Sequence, residues 1–540
     1  MPAGSHRHPL GQRLRFRGGA HLRAHGTGGP APGRPERRSG LKSLLELGEI
    51  LRLAARRAPE KTAIIADGRR LDFGEYDRLA NRFAHFLVAE GLGPGDRIAT
   101  VLFNSPEYGV VHFGNARAGS VLVHIPPLYA AAEIAEIVER TRPRVLVVDA
   151  AVQDRIGAKV RSVVSTVMVA GSPDFEAALA AVSDRRPDRA IDPAAAVAMT
   201  FTGGTTGRPK GAVVSHTARY VSANSTAREH RITEKDVVGV VVPMFHAVGL
   251  MIWYQAAILQ GCTSVIFRRW DPAEFVAATE RHRISSVFLV PVQVRDLLRS
   301  PAFDPDRLAS LKNIGVGGAP TPPGLIEECR DALPHCGYTD HYGQSETGPL
   351  TILKPEETEA HAGTVGRPAE GVELRIVDGD GSSVPPGTVG ELVTRGPYMM
   401  EGYFGDEEET ARYFRGGWGW TGDLGRSDED GYVTLVGRSR EIIISGGFNI
   451  HPSEVETALA SHPAVEDCTV FGVPDDRWGE APVAYVVRAA DISGDDLIAH
   501  CTDRLARYKR PREIVFVATI PRTPSGKVRK PLLRNAYLKA

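Results

Sequence analysis

Met199-Thr-Phe-Thr-Gly-Gly-Thr-Thr-Gly-Arg-Pro-Lys-Gly211 packs three glycines and three threonines into the six residues from Thr202 to Gly207. Residues without a Cβ let backbone N–H groups face an anion, threonine hydroxyls add donors, and Lys210 supplies a point charge suited to a polyphosphate. Thr202, Gly203, Gly204, Thr205, Thr206, Gly207 and Lys210 are therefore candidate phosphate-binding residues. A flexible Gly/Thr turn is the plain alternative for such a loop taken alone. The spacing Gly-x-x-x-x-Gly-Lys-Ser/Thr is absent, and Pro209 separates Arg208 from Lys210, which excludes the common P-loop NTPase.

Outward from this loop, short β-branched apolar runs such as Arg97 to Phe103, Arg144 to Asp149 and Ser286 to Val290 alternate with amphipathic segments such as Glu75 to Glu90 and Ala131 to Arg140. Short apolar runs between helices predict parallel strands covered on both faces, so the main body is α/β. After Gly371, the turn signals Asp378-Gly-Asp-Gly381, Pro385-Pro-Gly387 and Asp430-Gly431 crowd between short strands. They predict a small antiparallel, β-barrel-like subdomain. Beyond Gly437, a helix from Ser453 to Leu459 capped at Pro452-Ser453, then strands at Cys468 to Val473 and Val483 to Val487, predict a separate α+β domain. The expected division is a leader over 1–40, a main body over 41–437 and a small C-terminal domain over 438–540.

The 540 residues exceed what one hydrophobic core usually organises. Lys+Arg and Asp+Glu balance at 65 each, so no global basic field holds nucleic acid or an acidic membrane. Phosphate recognition must be local. Five dispersed cysteines without a CxxC pair give no zinc spacing and fit reduced thiols in a cytoplasm. The first 40 residues hold eight arginines, nine glycines and one acid, Glu36, a composition that cannot bury enough surface to order itself. No secretory apolar region follows it. Val237 to Leu259 is apolar enough to suggest a membrane span, but Pro243, His246, Gln255 and a β-branched first half predict a buried strand followed by a helix.

Further motifs follow in order: Gly317-Gly-Ala-Pro320, Asp340-His-Tyr-Gly-Gln-Ser-Glu-Thr347, Trp420-Thr-Gly-Asp-Leu424, Gly437-Arg438 leading to Ile444-Ser-Gly-Gly-Phe-Asn449, and Pro521-Arg-Thr-Pro-Ser-Gly-Lys527. With the phosphate loop they resemble, in sequence and order, the signature motifs of the adenylate-forming superfamily of acyl-CoA synthetases, peptide-synthetase adenylation domains and luciferases. The resemblance spans roughly residues 45 to 535. It implies a large AMP-binding N-terminal domain of mainly parallel sheets and a mobile catalytic C-terminal domain. The implied reaction is ATP-dependent activation of a small carboxylic acid as its adenylate, with release of pyrophosphate and transfer to coenzyme A.

The same resemblance distributes roles. Gly317, Gly318 and Ala319 let the backbone approach adenine, Tyr342 stacks on it, and Asp340 accepts from its amino group, with His341 and Ser345 among the nucleotide contacts of that motif. Asp423 and Arg438 fall on the ribose hydroxyls; a structural Asx turn is the alternative for Asp423. Glu346 is the expected Mg²⁺ ligand, since a hard ion beside phosphates takes oxygen donors. Lys527 is the lysine implied to neutralise charge between carboxylate and α-phosphate. Arg440 lies at the implied hinge, Gly447 on the implied pantetheine tunnel, and His246 of Pro243-Met-Phe-His-Ala-Val-Gly249 at the gate between acid pocket and tunnel. Taken alone, a histidine there is more often packing. Trp253 and Tyr254 just beyond either narrow the pocket for a short or aromatic acid or simply belong to the core.

Three positions depart from the family pattern. Gly203 stands where relatives carry a hydroxyl residue, Asp340 replaces the usual amide, and Arg440 replaces the usual Asp or Lys. Rival readings are an adenylating loader of a carrier protein, a diazotase that activates nitrite for an aryl amine, and a nucleotide-binding regulator. The stretch Val473-Pro-Asp-Asp-Arg-Trp-Gly-Glu-Ala-Pro482 resembles stand-alone acyl-CoA synthetases and favours coenzyme A.

Overall fold

Asp72 caps the helix Phe73–Ala89 by accepting from Glu75 N–H at 2.6 Å, and Phe73, Tyr76, Ala80, Phe83 and Leu87 bury its apolar stripe. Ser105 caps Pro106–Ala118 in the same way, with proline in the first turn and Gly119 in the left-handed conformation at its end. In this computed structural model, the described residues are 46–202, 209–322, 324–445, 448–502, 504–523 and 527–539. The leader, Gly203, Gly204, Thr205, Thr206, Gly207, Gly447 and the side chain of Thr202 lie outside them.

The helices cover two large sheets. One runs, edge to edge, Arg367–Pro368, Gly348–Leu353, Gly337–Gln344, Asn313–Gly317, Ser286–Leu289, Val237–Val240, Thr263–Ile266, Thr62–Ala66, Arg69–Asp72, with its central pairs parallel. The other runs Gly402–Tyr403, Lys210–Ser215, Ala196–Thr202, Val121–His124, Arg97–Val101, Val145–Val148, Thr166–Val169. Its inner pairs are parallel, and Ala196–Thr202 meets Lys210–Ser215 antiparallel with Thr202 opposite Lys210, so the phosphate loop joins two neighbouring strands. After Gly371 an antiparallel sheet follows, built from Glu373–Val377, Gly390–Arg395, Trp418–Ser427, Phe414–Arg415 and Val433–Arg438. A fourth sheet joins Phe448–Ile450, Ile443–Ser445, Gly479–Arg488, Val465–Asp475 and Glu513–Phe516 over its own core of Ile443, Ile450, Val455, Leu459, Val470 and Val486.

Two local expectations need correction. Ser453 does not cap Pro452–Ala460; His451 is the cap residue and makes no side-chain bond there, while the Ser453 hydroxyl donates to Val436 C=O. That bond ties the C-terminal sheet's first helix to the strand before it. The apolar stretch Val237 to Leu259 is a strand, then π-type turns over Ala247–Tyr254 that continue as the α-helix Gln255–Gln260. Wide turns of this kind concentrate at functional sites. Gly249 is obligatory within them, because a Cβ there would lie 2.3 Å from Pro243 C=O. No helix among the described residues is long and apolar enough to cross a membrane.

His112, His124 and His216 are wholly buried, and each accepts a bond on one nitrogen, from Gln255 amide at 2.7 Å, Tyr108 hydroxyl at 2.8 Å and Leu47 N–H at 3.3 Å respectively. Burial lowers all three below the ordinary histidine value, to about 3 for His124 and about 4 for His216. The unfolded chain therefore takes up these protons first, at about pH 6.5, so their contribution is full above that pH and is lost as pH falls towards the folded values. Lowering pH to 5 is expected to cost on the order of 2 kcal/mol per histidine. Urea midpoints at pH 7.5 and 5 measure this, and His124→Gln should shrink the difference; a pH-independent midpoint would contradict it.

Candidate active site

Strand Gly337–Gln344 alternates its side chains, so Asp340 and Tyr342 share one face and His341 takes the other. On the first face the Tyr342 hydroxyl donates to Asp423 Oδ2 at 2.6 Å, Gln344 Nε2 donates to the same oxygen at 2.6 Å, and Arg438 Nε lies 3.1 Å from Oδ1. Asp423 is buried, and its strand neighbour across the register is Arg438 itself. This acceptor is therefore held rigid by a phenol, an amide and a guanidinium. Asp340 is also buried, and desolvation raises its carboxyl to about 6, partly offset by donors including the His341 N–H. Strand Asn313–Gly317 ends beside it, and a Cβ at Gly317 would lie 2.5 Å from His341 C=O. Gly318 follows at φ +81°, which directs the chain through Ala319 into the adjoining loop.

Glu346 lies in the turn after this strand, next to Ser345, and its Oε1 accepts from the Tyr403 hydroxyl at 3.0 Å. Tyr403 pairs with Ala212 on the strand that leaves the phosphate loop. Lys210, at the start of that strand, pairs with Glu409 and lies 5.4 Å from the centre of the Tyr403 ring. Lys210, Tyr403 and Glu346 thus form one row from loop to carboxylate. Among the described residues no three His, Cys, Asp or Glu side chains cluster as a metal cage. One carboxylate beside a phosphate loop still fits Mg²⁺, which keeps waters and takes one or two carboxylates plus substrate phosphates. A cavity of about 450 Å³ beside Lys210 is lined by Arg140, Pro209, Phe404, Asp406 and Glu409 among others, and not by Tyr342, Asp423 or Lys527.

The loop bearing Lys527 closes on itself: Lys527 N–H donates to Thr523 Oγ1 at 3.1 Å, and Thr523 N–H to Lys527 C=O at 2.7 Å. Lys527 is exposed, and its ammonium lies within electrostatic reach of Glu346, Asp423, Arg438 and Arg440. Crowding by protein lowers the ammonium below the ordinary lysine value, Arg438 and Arg440 add to this, and Glu346 and Asp423 oppose it. His246 is half-buried, its imidazole lowered to about 4 by the surrounding protein and further by Lys527, and its Nε2 meets no protein partner. Arg440 sits in the short turn Ser439–Glu441 between the third and fourth sheets, where burial and Arg438 depress it.

The structure thus joins Tyr342, Asp423 and Arg438 by direct contact, and Lys527 lies within electrostatic reach of Asp423, Arg438, Glu346, Arg440 and His246. His341 differs from expectation. Its ring turns to the opposite face, where it stacks on His230 with ring centres 4.5 Å apart, because strand alternation separates it from Tyr342. Sequence reasoning missed Gln344, Tyr403 and Glu409. Gln344 lies within a quoted motif, whereas Tyr403 and Glu409 carry no local signal and reach the site only through sheet pairing.

The AMP-binding enzyme family matches residues 51–404, and the AMP-binding enzyme C-terminal domain matches residues 454–527. An indoleacetate–CoA ligase of Aromatoleum aromaticum is 34% identical, covering 91% of this chain and 98% of its own. The fatty acid–[acyl-carrier-protein] ligase ScoC of Streptomyces coeruleorubidus is 33% identical, covering 89% and 95%. ATP-bound MatB from Rhodopseudomonas palustris superposes with a TM-score of 0.86 at 30% identity, over 91% of this chain and 99% of that one. The chain therefore belongs to the AMP-binding enzyme family, as an AMP-forming acid–thiol ligase of the acyl-CoA synthetase type.

Proposed function

We propose that the residues gathered around Lys527 divide the two half-reactions of this ligase between them. The enzyme activates a carboxylic acid with ATP as an acyl-adenylate and then transfers the acyl group to coenzyme A. The observation that carries the assignment is the placement of Lys527 among Glu346, Asp423, Arg438 and Arg440. Adenine stacks on Tyr342 against Gly317, Gly318 and Ala319, with Asp340 accepting from the amino group; Asp423 accepts from the ribose hydroxyls with Arg438 beside it. Thr202 through Gly207, Ser345 and Lys210 hold the phosphates. Glu346 would hold a Mg²⁺ ion beside the phosphates, and such an ion would supply positive charge against the polyphosphate.

A carboxylate oxygen of the acid bonds to the α-phosphorus as the bond to pyrophosphate breaks. Lys527 meets the charge between these two anions, the position at which a preorganised cation is most effective. The lysine then has to leave. The C-terminal domain turns about Arg438-Ser439-Arg440, Gly447 lines the channel for pantetheine, and His246 gates it. The thiol sulfur attacks the acyl carbon, its proton is lost, and AMP departs. An enzyme that consumes ATP and coenzyme A and carries free thiols at all five cysteines belongs in the cytoplasm.

The similarity to ScoC favours one second reading, in which the acceptor thiol belongs to a carrier protein. Pyrophosphate release over an acid panel, repeated with coenzyme A, with a phosphopantetheinylated carrier, and with aryl amine plus nitrite, separates the acceptors. Thioester on coenzyme A supports the first reading. Acylation of the carrier alone, or diazotisation alone, would replace it.

A further inference from the structure

Three residues beyond Lys527, a second lysine belongs to an ion cluster that the chemistry above leaves unused. Lys530 opens the helix Lys530–Tyr537, and its Nζ lies 3.1 Å from Glu441 Oε2 and 3.0 Å from Glu456 Oε1. Only 20% of the Lys530 side chain is exposed, so solvent screens these pairs less than it screens surface pairs. Burial works against the ammonium, but Glu456 and Glu441 more than offset it and hold Lys530 above the ordinary lysine value. At Glu441 burial is likewise outweighed, by Lys530 together with Arg438 and Arg440, and the carboxyl stays below the ordinary carboxylate value.

The two carboxylates come from different parts of the chain. Glu441 closes the short turn Ser439–Glu441, directly after Arg440. Glu456 stands on the helix Pro452–Ala460, and its Oε1 also accepts from Val470 N–H at 2.8 Å and from the Thr469 hydroxyl at 3.2 Å, which fixes it to the strand Val465–Asp475. Lys530 in turn is tied to Lys527 by a hairpin. Arg522 pairs antiparallel with Val528, and Arg529 N–H donates to Pro521 C=O at 2.9 Å, behind the bonds between Thr523 and Lys527. Three residues span at most about 10 Å, so Lys527 cannot travel far from Lys530 while this hairpin holds. A rotation about a three-residue turn reaches Lys527 faithfully only if the turn is fastened to that hairpin.

We infer that Lys530 is a positioning residue that fastens the turn after Arg440, through Glu441, to the hairpin carrying Lys527, so that rotation about residues 438–440 sets where the Lys527 ammonium arrives. This deepens the ligase reading above and rests on the roles given there to Lys527 and to the turn. From Glu441 onward the chain moves with the C-terminal sheet, because Lys530 and Glu456 hold it there. Without the ammonium, two carboxylates that share one cation are left facing each other, and like charges push the turn away from the helix.

Lys530→Met keeps the side-chain stem and removes the charge, and the ratio of the two half-reactions reads the result independently of how much protein is folded. The maximal rate of acid-dependent pyrophosphate exchange is expected to fall by about 10–100-fold with KM for ATP within about twofold, because a misplaced catalytic group costs rate and spares ground-state binding. Thioester formation from added acyl-adenylate should stay within about threefold. Glu441→Gln should reproduce this split, and the double variant should be no worse than Lys530→Met alone, since both changes cut one link. Lys530→Arg, whose guanidinium has donors for both carboxylates, should keep exchange within about threefold of the parent chain. Equal loss in both half-reactions, unchanged exchange in Lys530→Met, multiplied losses in the double variant, or an Arg variant as impaired as the Met variant would overturn the inference. Lys527→Ala separates it from the reading beneath: a split there with none in Lys530→Met removes the inference alone, and no split in Lys527→Ala removes the role of Lys527 with it.

Discussion

Replacing Lys527 with alanine is expected to lower acid-dependent pyrophosphate release by about 10²–10³-fold, the effect of removing one preorganised charge partner from a developing anion. Thioester formation from added acyl-adenylate should stay within about threefold of the parent chain, because the role proposed for the lysine is confined to the first half-reaction. The split is the informative part. Loss of fold would depress both halves together, and the Lys527 loop is held by its own backbone bonds to Thr523, which the substitution leaves in place. Stopped-flow or quench measurement of each half-reaction checks it; equal loss in both would contradict the assignment.

The second large effect is expected at Asp423. Its oxygens take Tyr342, Gln344 and Arg438, so Asp423→Ala removes the proposed ribose acceptor and leaves three donors facing a vacated position. KM for ATP should rise by about 30–100-fold, with kcat falling less, since these contacts serve the bound nucleotide before and during bond formation. Asp423→Asn should be milder, because it keeps one oxygen acceptor while losing charge against Arg438. Tyr342→Phe keeps the stacking ring and loses one bond to Asp423, so its effect should be smaller still. A titration of initial rate against ATP for the three variants checks the order Ala, Asn, Phe.

Much of this arrangement was legible in the chain itself. The short apolar runs at 97–103, 144–149 and 286–290 became parallel strands, because continuous β-branched segments between amphipathic helices have no solvent face to alternate with. Motifs whose glycines and charges are dictated by local backbone geometry, such as Gly317-Gly318 and Tyr342-Gly343, also stood out. Legibility ended where tertiary pairing takes over. Tyr403 reaches Glu346 only because a two-residue strand pairs with Lys210–Ser215, and Glu409 reaches Lys210 from the helix that follows. Neither contact leaves a spacing in the sequence.

His341 shows the converse case. A motif quoted as a block invites every member into the nucleotide site, yet a strand sends consecutive side chains to opposite faces. Its partner His230 lies 111 residues earlier in the chain, at a helix end that no local pattern links to it. The same alternation that turns His341 from the side of Tyr342 delivers it to the side where Trp253 and Phe288 stand.

Acid and ATP are proposed to react with each other before any thiol enters, beside Lys527, Glu346 and Asp423. Acid-dependent exchange of labelled pyrophosphate into ATP, measured without coenzyme A, tests it most directly. Rapid exchange with an accepted acid, loss of exchange in Lys527→Ala, and no requirement for thiol are expected. Exchange that appears only when coenzyme A is added would contradict it.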